Sequence, residues 1–304
     1  MKNIHYRVEV KSEGSRFIVL FNGHKIKMVA EGEPCRVDRP VNPYVLSGEN
    51  NLEITVYPWS DEKLLSNESS FVTAALVAYD SEGRLGKGGK VVAELRCDHG
   101  VISGTKFSSE VEPGIYKLVD DDQSDLGSMQ FVLGSLSQKM DFPVDGAVEI
   151  SRDVGLSTSF SPWGYITSDT IPQVDDMSDA EFFDEFLPSI FKAYEKIHGA
   201  LKRKDIDSIM PLFQERNSEM DIAFYHEPGT YEKKLRDSFQ SEIDSGMILA
   251  DIDIGYVQGK VSENGKLAKL DDPYLIYFHN EEKTIFNGYD IWFRRKGDRW
   301  IVSR

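Results

Sequence analysis

Two periodicities divide the chain. Up to about residue 150, apolar positions recur at every second residue: Tyr6, Val8 and Val10, then Phe17, Val19 and Phe21, alternate with polar neighbours. That is the pattern of strands with one buried face. Asn22-Gly23 interrupts the second run and HKIKMVA rises directly after it, which predicts a tight hairpin because both residues accept positive φ. Residues 52–57 (LEITVY), 71–79 (FVTAALVAY), 90–96 (KVVAELR), 114–118 and 129–133 read as further strands. The turn-forming stretches SGEN, DSEGRLGKGG, DHG and EPG separate them at sandwich-like spacing. No useful helical period precedes residue 177, so residues 1–150 are predicted to be an all-β sandwich domain.

Residues 151–177 lack sustained periodicity and are rich in Ser, Gly, Pro and Asp, the composition of a connection. Phe160, Trp163 and Tyr165 are too apolar for a free tether, so an ordered linker is expected. Ser178 then opens a helix with a capping box, the glutamate at its third residue being Glu181. Phe182, Phe183, Phe186, Ile190, Phe191, Tyr194, Ile197 and Leu201 follow at helical spacing. Pro188 lies inside this run, so the helix bends there or a short first segment ends before it. Further helices are predicted over 206–224 and 231–243, the last stopped by Gly246.

From Met247 the period returns to two. Ile248, Ala250, Ile252, Ile254 and Tyr256 share one face of a predicted strand, and Asp251 and Asp253 the other. Strands at 266–270 and 274–279 follow a turn at Asn264-Gly265. The chain closes with TIFNGYDIWFRRKGDRWIVSR, where Ile291, Phe293, Trp300 and Val302 alternate with polar residues around a turn at Lys296-Gly297-Asp298. Residues 178–304 are therefore predicted to be a second, α+β domain, in keeping with a length of 304 residues.

Charge narrows the partners. The formal net charge is −16, spread over both halves. Such a surface repels phosphate backbones, so nucleic acid and anionic membranes are poor partners, and a basic protein fits better. The N-terminal MKNIHYRVEVKSEG carries no apolar signal-peptide region, and no apolar run is long enough to span a bilayer; a cytoplasmic protein is expected. Cys35 and Cys97 are the two cysteines, reduced thiols in that compartment or one disulfide outside it.

Several chemical motifs fail on their spacing. GRLGKGGK at 83–90 lacks the glycine placement and the following Ser or Thr of a P-loop. The acidic stretch at 119–125 lacks the glycine and terminal glutamate of an EF-hand. Cys97, Asp98 and His99 are consecutive on a strand and cannot converge on one ion. His198 and His226 have no HExxH-type spacing, and no Gly-x-Ser-x-Gly elbow, Rossmann fingerprint or zinc-binding cysteine set occurs. No cofactor or metal is expected, and an enzyme is disfavoured.

Two resemblances add to this reading. FNGHKI followed by VNPYVLSGENNLEITVY, with Tyr44, Leu46, Gly48, Asn51, Leu52 and Ile54 in comparable places, resembles the jelly-roll sugar-binding-like modules appended to glycoside hydrolases. That resemblance implies carbohydrate recognition on a platform of exposed aromatics drawn from Tyr44, Tyr57 and Trp59. Helices followed by antiparallel strands ending in IWFRRKGDRWIVSR resemble the NTF2-like (cystatin-like α+β) superfamily. The resemblance implies a sheet curled into a cone around the long helix, with Trp300 and Ile301 helping to form its end, and homodimers are common in that superfamily. Its members include isomerases, dehydratases, binding modules, transport factors and immunity proteins. Its enzymes work from the cone, where the steroid isomerase type sets an Asp base beside Tyr and protonated Asp donors. The candidate cone residues are Asp251, Asp253, Tyr256, Tyr277, His279 and Tyr289, with Tyr274 beside them. The bland reading makes the aspartates a solvated face and the tyrosines core wedges.

Three functions follow. The first is a non-enzymatic acidic protein-binding module, such as a bacterial immunity or accessory protein that neutralises or escorts a partner. The second is a small-molecule binder or isomerase- or dehydratase-type enzyme using the cone, and the third is carbohydrate binding by the β-sandwich.

Overall fold

The computed structural model describes residues 3–58, 70–79, 89–98, 107–108, 114–117, 130–140, 146–271 and 274–304. The chain falls into two compact units, Met1–Ser161 and Pro162–Arg304: an all-β N-terminal region and an α+β C-terminal one.

The first unit holds strands β1 (His5–Glu13), β2 (Arg16–Phe21), β3 (His24–Val29), β4 (Cys35–Pro40), β5 (Gly48–Tyr57), β6 (Phe71–Tyr79), β7 (Lys90–Asp98), β8 (Phe107–Ser108), β9 (Gly114–Lys117), β10 (Gln130–Met140) and β11 (Val148–Leu156). One sheet runs β4-β1-β6-β7-β8 and the other β3-β2-β5-β11-β10-β9, every pairing antiparallel. β5 and β11 of the second sheet lie over β7 of the first. Val8, Val10, Phe17, Val19, Leu52, Ile54, Val72, Leu95 and Ile150 are wholly buried, as the two-residue period demands.

The β2–β3 hairpin turns at Asn22 and Gly23, with φ of 52° and 73°; two successive positive φ values match the right-handed twist of the flanking strands. β11 takes in residues 151–156, which the sequence reading placed in the linker. Arg152 points inward at 2% exposure, where its Nε donates to the Gly134 carbonyl (2.9 Å). A charged residue at a buried position, beside Asp153 and Gly155, hides the strand's alternation. The glycine-rich stretch at 83–88, the acidic stretch at 119–125, His99 and Trp59 lie outside the described residues.

In the second unit the capping box forms as expected: Ser178 Oγ accepts from the Glu181 amide (3.3 Å), and Glu181 Oε2 accepts from the Ser178 amide (2.8 Å). A π-helical turn, Glu181–Phe186, then runs into α1 (Leu187–Lys202). Pro188 has no N–H, and its ring crowds the carbonyl four residues back. The widened turn relieves that crowding, and the Leu187 amide reaches back five residues to Phe182 O.

The single helix predicted over 206–224 is instead broken. α2 (Ile206–Ile209) and α3 (Gln214–Ala223) flank a 3-10 turn, Met210–Phe213, that contains Pro211. α4 (Thr230–Asp244) follows; Asp221 accepts from the amides of Gly229 (2.7 Å) and Tyr231 (2.8 Å) at its N-terminus.

The strands of this unit are β12 (Ile248–Leu249), β13 (Gln258–Val261), β14 (Ala268–Asp271), β15 (Ile276–His279), β16 (Phe286–Tyr289), β17 (Phe293–Lys296) and β18 (Arg299–Val302). They form the antiparallel sheets β12-β15-β16 and β13-β14-β17-β18. The strand predicted over 248–256 stops after Leu249. Asp253 instead accepts from the Gly255 amide (2.9 Å) and starts a 3-10 turn, Ile254–Tyr256; a short acidic side chain bonding its own backbone competes with the ladder.

α1 supplies Ile190, Tyr194, Ile197 and Leu201 to a core completed by Leu270, Ile276, Phe278, Phe293 and Val302. Tyr194 Oη donates to Ile291 O (2.7 Å) and accepts from the Leu270 amide (3.2 Å). The helix is thereby tied to the strands by polar as well as apolar contacts.

The closing hairpin pairs Phe293 with Val302 and Lys296 with Arg299 around Gly297 at φ 58°. Two of its basic residues turn inward. Arg294, 7% exposed at its side chain, meets Glu215 through Nε–Oε1 (2.5 Å) and Nη2–Oε2 (2.6 Å). Arg304 pairs with Glu219 and lies over the rings of Tyr165 (4.6 Å) and Trp163 (5.6 Å).

Candidate functional site

Of the six candidate cone residues, the five whose side chains the structure describes do not converge. Asp251 is exposed and pairs with Lys202 (2.9 Å), whose ammonium holds its carboxyl below the usual range. Asp253 is spent on the Gly255 amide, and Tyr256 lies on the 3-10 turn beside it. Tyr277 and His279 occupy the face of β15 opposite the buried Ile276 and Phe278, because neighbours on a strand point to opposite sides. There Tyr277, His279 and Phe286 form a triangle of rings 6.2–6.3 Å apart.

Tyr289 faces the core, against Phe239 (4.6 Å) and Phe278 (6.2 Å). Its hydroxyl is 2.9 Å from Ser238 Oγ, and burial raises its pKa. The space beside it is occupied by core side chains, so the five described residues form no shared pocket. Tyr274 rests on Gly288, where an added Cβ would fall 2.0 Å from the ring.

The residues of the β-module motif are bound to one another. Asn50, 2% exposed, accepts from the Leu46 amide (2.8 Å) and from Asn22 Nδ2 (2.9 Å), and donates to the carbonyls of Leu46 and Gly48. Tyr44 is half-buried and stacks on His24 at 4.3 Å. The motif is a clasp between the hairpin tip and the start of β5. His198, weighed as a metal ligand, instead bonds the Ala250 carbonyl (2.9 Å). Among the described residues no group of three His, Cys, Asp or Glu side chains is arranged to hold a metal.

A better-formed site lies where the π-helical turn meets the closing hairpin. Its floor is an aromatic row: Phe183 on Phe182 (5.0 Å), Phe182 on Phe186 (5.8 Å), and Phe186 edge-on to Trp300 (5.8 Å). Trp300 Nε1 donates to Ser189 Oγ (3.0 Å), fixing the ring, and the Arg295 guanidinium sits 5.9 Å from its centroid.

At the Trp300 end the row opens into a cleft of about 230 Å³, walled by Ile171, Pro172 and Met177 and ringed by Asp176, Glu181, Glu185 and Asp298 with one cation, Arg295. Glu181 is engaged by Ser178, whose hydroxyl and amide lower its pKa. Asp176, Glu185 and Asp298 are exposed and make no ion pair with a described residue. Arg295 lines the same cleft and already supplies a cation to the Trp300 ring, so the three free carboxylates outnumber it and suit a further cation through ion pairing.

In the sequence alone Trp300 reads as a packing residue and the phenylalanines as one helical face. The available signal was the Phe182-Phe183 doublet: with Phe186 it spreads too widely for one stripe. Glu181 and Glu185, four residues apart, share one side of a helix.

The chain matches no family model, no curated protein and no solved structure. No helix among the described residues is long and apolar enough to cross a membrane.

Proposed function

We propose that the chain is a non-enzymatic protein-binding module whose C-terminal part is of the NTF2-like kind. It grips a basic segment of another protein, as an immunity or accessory protein does. The observation that carries this reading is the cleft between Trp300 and Glu185, where three unpaired carboxylates surround an aromatic floor. Because Arg295 already lies by the Trp300 ring, a lysine or arginine entering it would gain chiefly from the rim charges, a fraction of a kcal/mol from each. The acidity of the whole chain would speed the encounter. A cone ligand draws less support, because Ile190, Tyr194, Phe278 and Phe293 fill the interior of this unit.

The test is capture of a partner from an extract of the source cells by the immobilised chain and by its Glu185→Lys/Asp298→Lys variant. Binding to the native chain that weakens with salt and falls at least about tenfold in the variant supports the reading. A partner held equally by both, or turnover of a small molecule with no partner captured, refutes it.

A further inference from the structure

The cleft at Trp300 has a neighbour. Beyond the Phe182 ring lies a groove of about 630 Å³, whose apolar wall includes Val174, Phe182, Phe183 and Val257. Both openings are built from the same two short stretches. The 3-10 turn Val174–Asp176 gives Val174 and Asp175 to the groove and Asp176 to the cleft. The π-helical turn gives Phe182 and Phe183 to the groove, and Glu181, Glu185 and Phe186 to the cleft. Asp175 and Asp176 are consecutive and both exposed, so the two rims adjoin. The partition between the openings is the Phe182–Phe186 pair, stacked at 5.8 Å and 26°.

The openings differ in charge. The cleft is lined by four carboxylates, of Asp176, Glu181, Glu185 and Asp298, against the one cation of Arg295. The groove has one of each sign, Asp175 and Lys260, so charge selects nothing there. What it offers is aromatic surface. Phe183 is 60% exposed and stands edge-on to Phe182 (5.0 Å), and covering it removes apolar area from water.

We propose that the partner segment sets two anchors at once, an arginine or lysine in the cleft and a large apolar side chain in the groove, on either side of the Phe182–Phe186 pair. The proposal rests on the protein-binding reading above and adds the motif that the surface reads. Spacing follows from the partition, which is one ring pair thick. Residues three or four apart on a helix stand about 5–6 Å apart at Cβ, and residues two apart on a strand about 6.6 Å; either pair straddles it. Adjacent residues do not, because they point to different sides. A second copy would bring the same net charge of −16, so the excess of carboxylates selects a basic segment of a different protein.

The probe is a displayed library of random twelve-residue peptides, selected on the immobilised chain and counter-selected on its Glu185→Lys/Asp298→Lys variant. Enriched sequences should carry an arginine or lysine with a phenylalanine, leucine, methionine or tryptophan two to four positions away. A fluorescein-labelled enriched peptide should bind saturably by anisotropy. Replacing its basic residue by norleucine, or its apolar residue by alanine, should each weaken binding about tenfold. Phe183→Ser should do the same at an unchanged urea midpoint. On that variant the change to alanine should have little further effect, while the change to norleucine keeps its full effect.

Enrichment of basic peptides without a spaced apolar residue overturns the proposal and leaves the cleft reading in place. So does a loss on the change to alanine that is equal for the native and Phe183→Ser chains. No enrichment over the Glu185→Lys/Asp298→Lys variant overturns the proposal together with the cleft. Self-association of the chain that competes with the peptide would place a second copy on this surface and overturns it as well.

Discussion

Replacing Glu215 by alanine tests how the closing hairpin is held. Arg294 is 7% exposed at its side chain and Glu215 33%, and they meet through two hydrogen bonds of 2.5 and 2.6 Å. Removing the acid leaves a guanidinium buried without its counter-ion, a change that costs about 3–5 kcal/mol when a pair is fully enclosed. Water reaches the Glu215 side, so about 2–3 kcal/mol is expected here. With a urea slope of about 1–3 kcal/mol/M, the midpoint should fall by about 0.7–3 M.

Tryptophan fluorescence is the assay, since Trp163, Trp292 and Trp300, three of the four tryptophans, belong to Pro162–Arg304. The double variant with Arg294→Met should recover most of the loss, because an apolar side chain of similar volume needs no counter-ion. A Glu215→Ala midpoint within about 0.3 M of the native one, or no recovery in the double variant, would refute the claim that this pair secures the hairpin.

Three further outcomes are expected. Burial, then a hydrogen bond to Glu9 (2.6 Å), pushes Tyr79 up to about 12, while an unfolded tyrosine titrates near 10. Its contribution is therefore fully present below pH 10 and is lost as pH rises through about 12. Urea midpoints should fall across that window, and less in Tyr79→Phe. Asn50→Ala should destabilise the N-terminal unit by about 2–3 kcal/mol in chemical denaturation, since the Leu46 amide and Asn22 Nδ2 lose their acceptor; a neutral result would contradict the clasp. Ser178→Ala should return the Glu181 carboxyl, now held low by the Ser178 hydroxyl and amide, toward the ordinary glutamate range in an NMR titration. The native pairing is present above that range and lost as pH falls through the lowered pKa, so the variant should show a flatter acid limb.

Much of the architecture follows from local rules that the sequence carries alone. Alternation at Val8 and Val10, or at Phe17 and Val19, has one way of burying its face, and Asn22-Gly23 has one favoured turn. Ser178 and Glu181 cap a helix wherever they stand in that spacing. Patterns misled where a residue's environment, not its neighbours, decided its state. Arg152 reads as a surface residue and is buried because Gly134 offers it a carbonyl. Ile248 to Tyr256 alternates like a strand, yet the Asp253 carboxylate turns the backbone before a ladder forms.

Function lay almost wholly on the tertiary side. Asp251, Tyr277 and Tyr289 look equivalent as polar or aromatic residues of one strand region, and they lie respectively in solvent, on an outer face and in the core. The cleft joins Glu185 to Trp300 and Asp298, more than a hundred positions away in the chain. One-dimensional spacing encodes faces and turns because those are short-range. Which side chains meet around a cleft is decided only when distant segments pack.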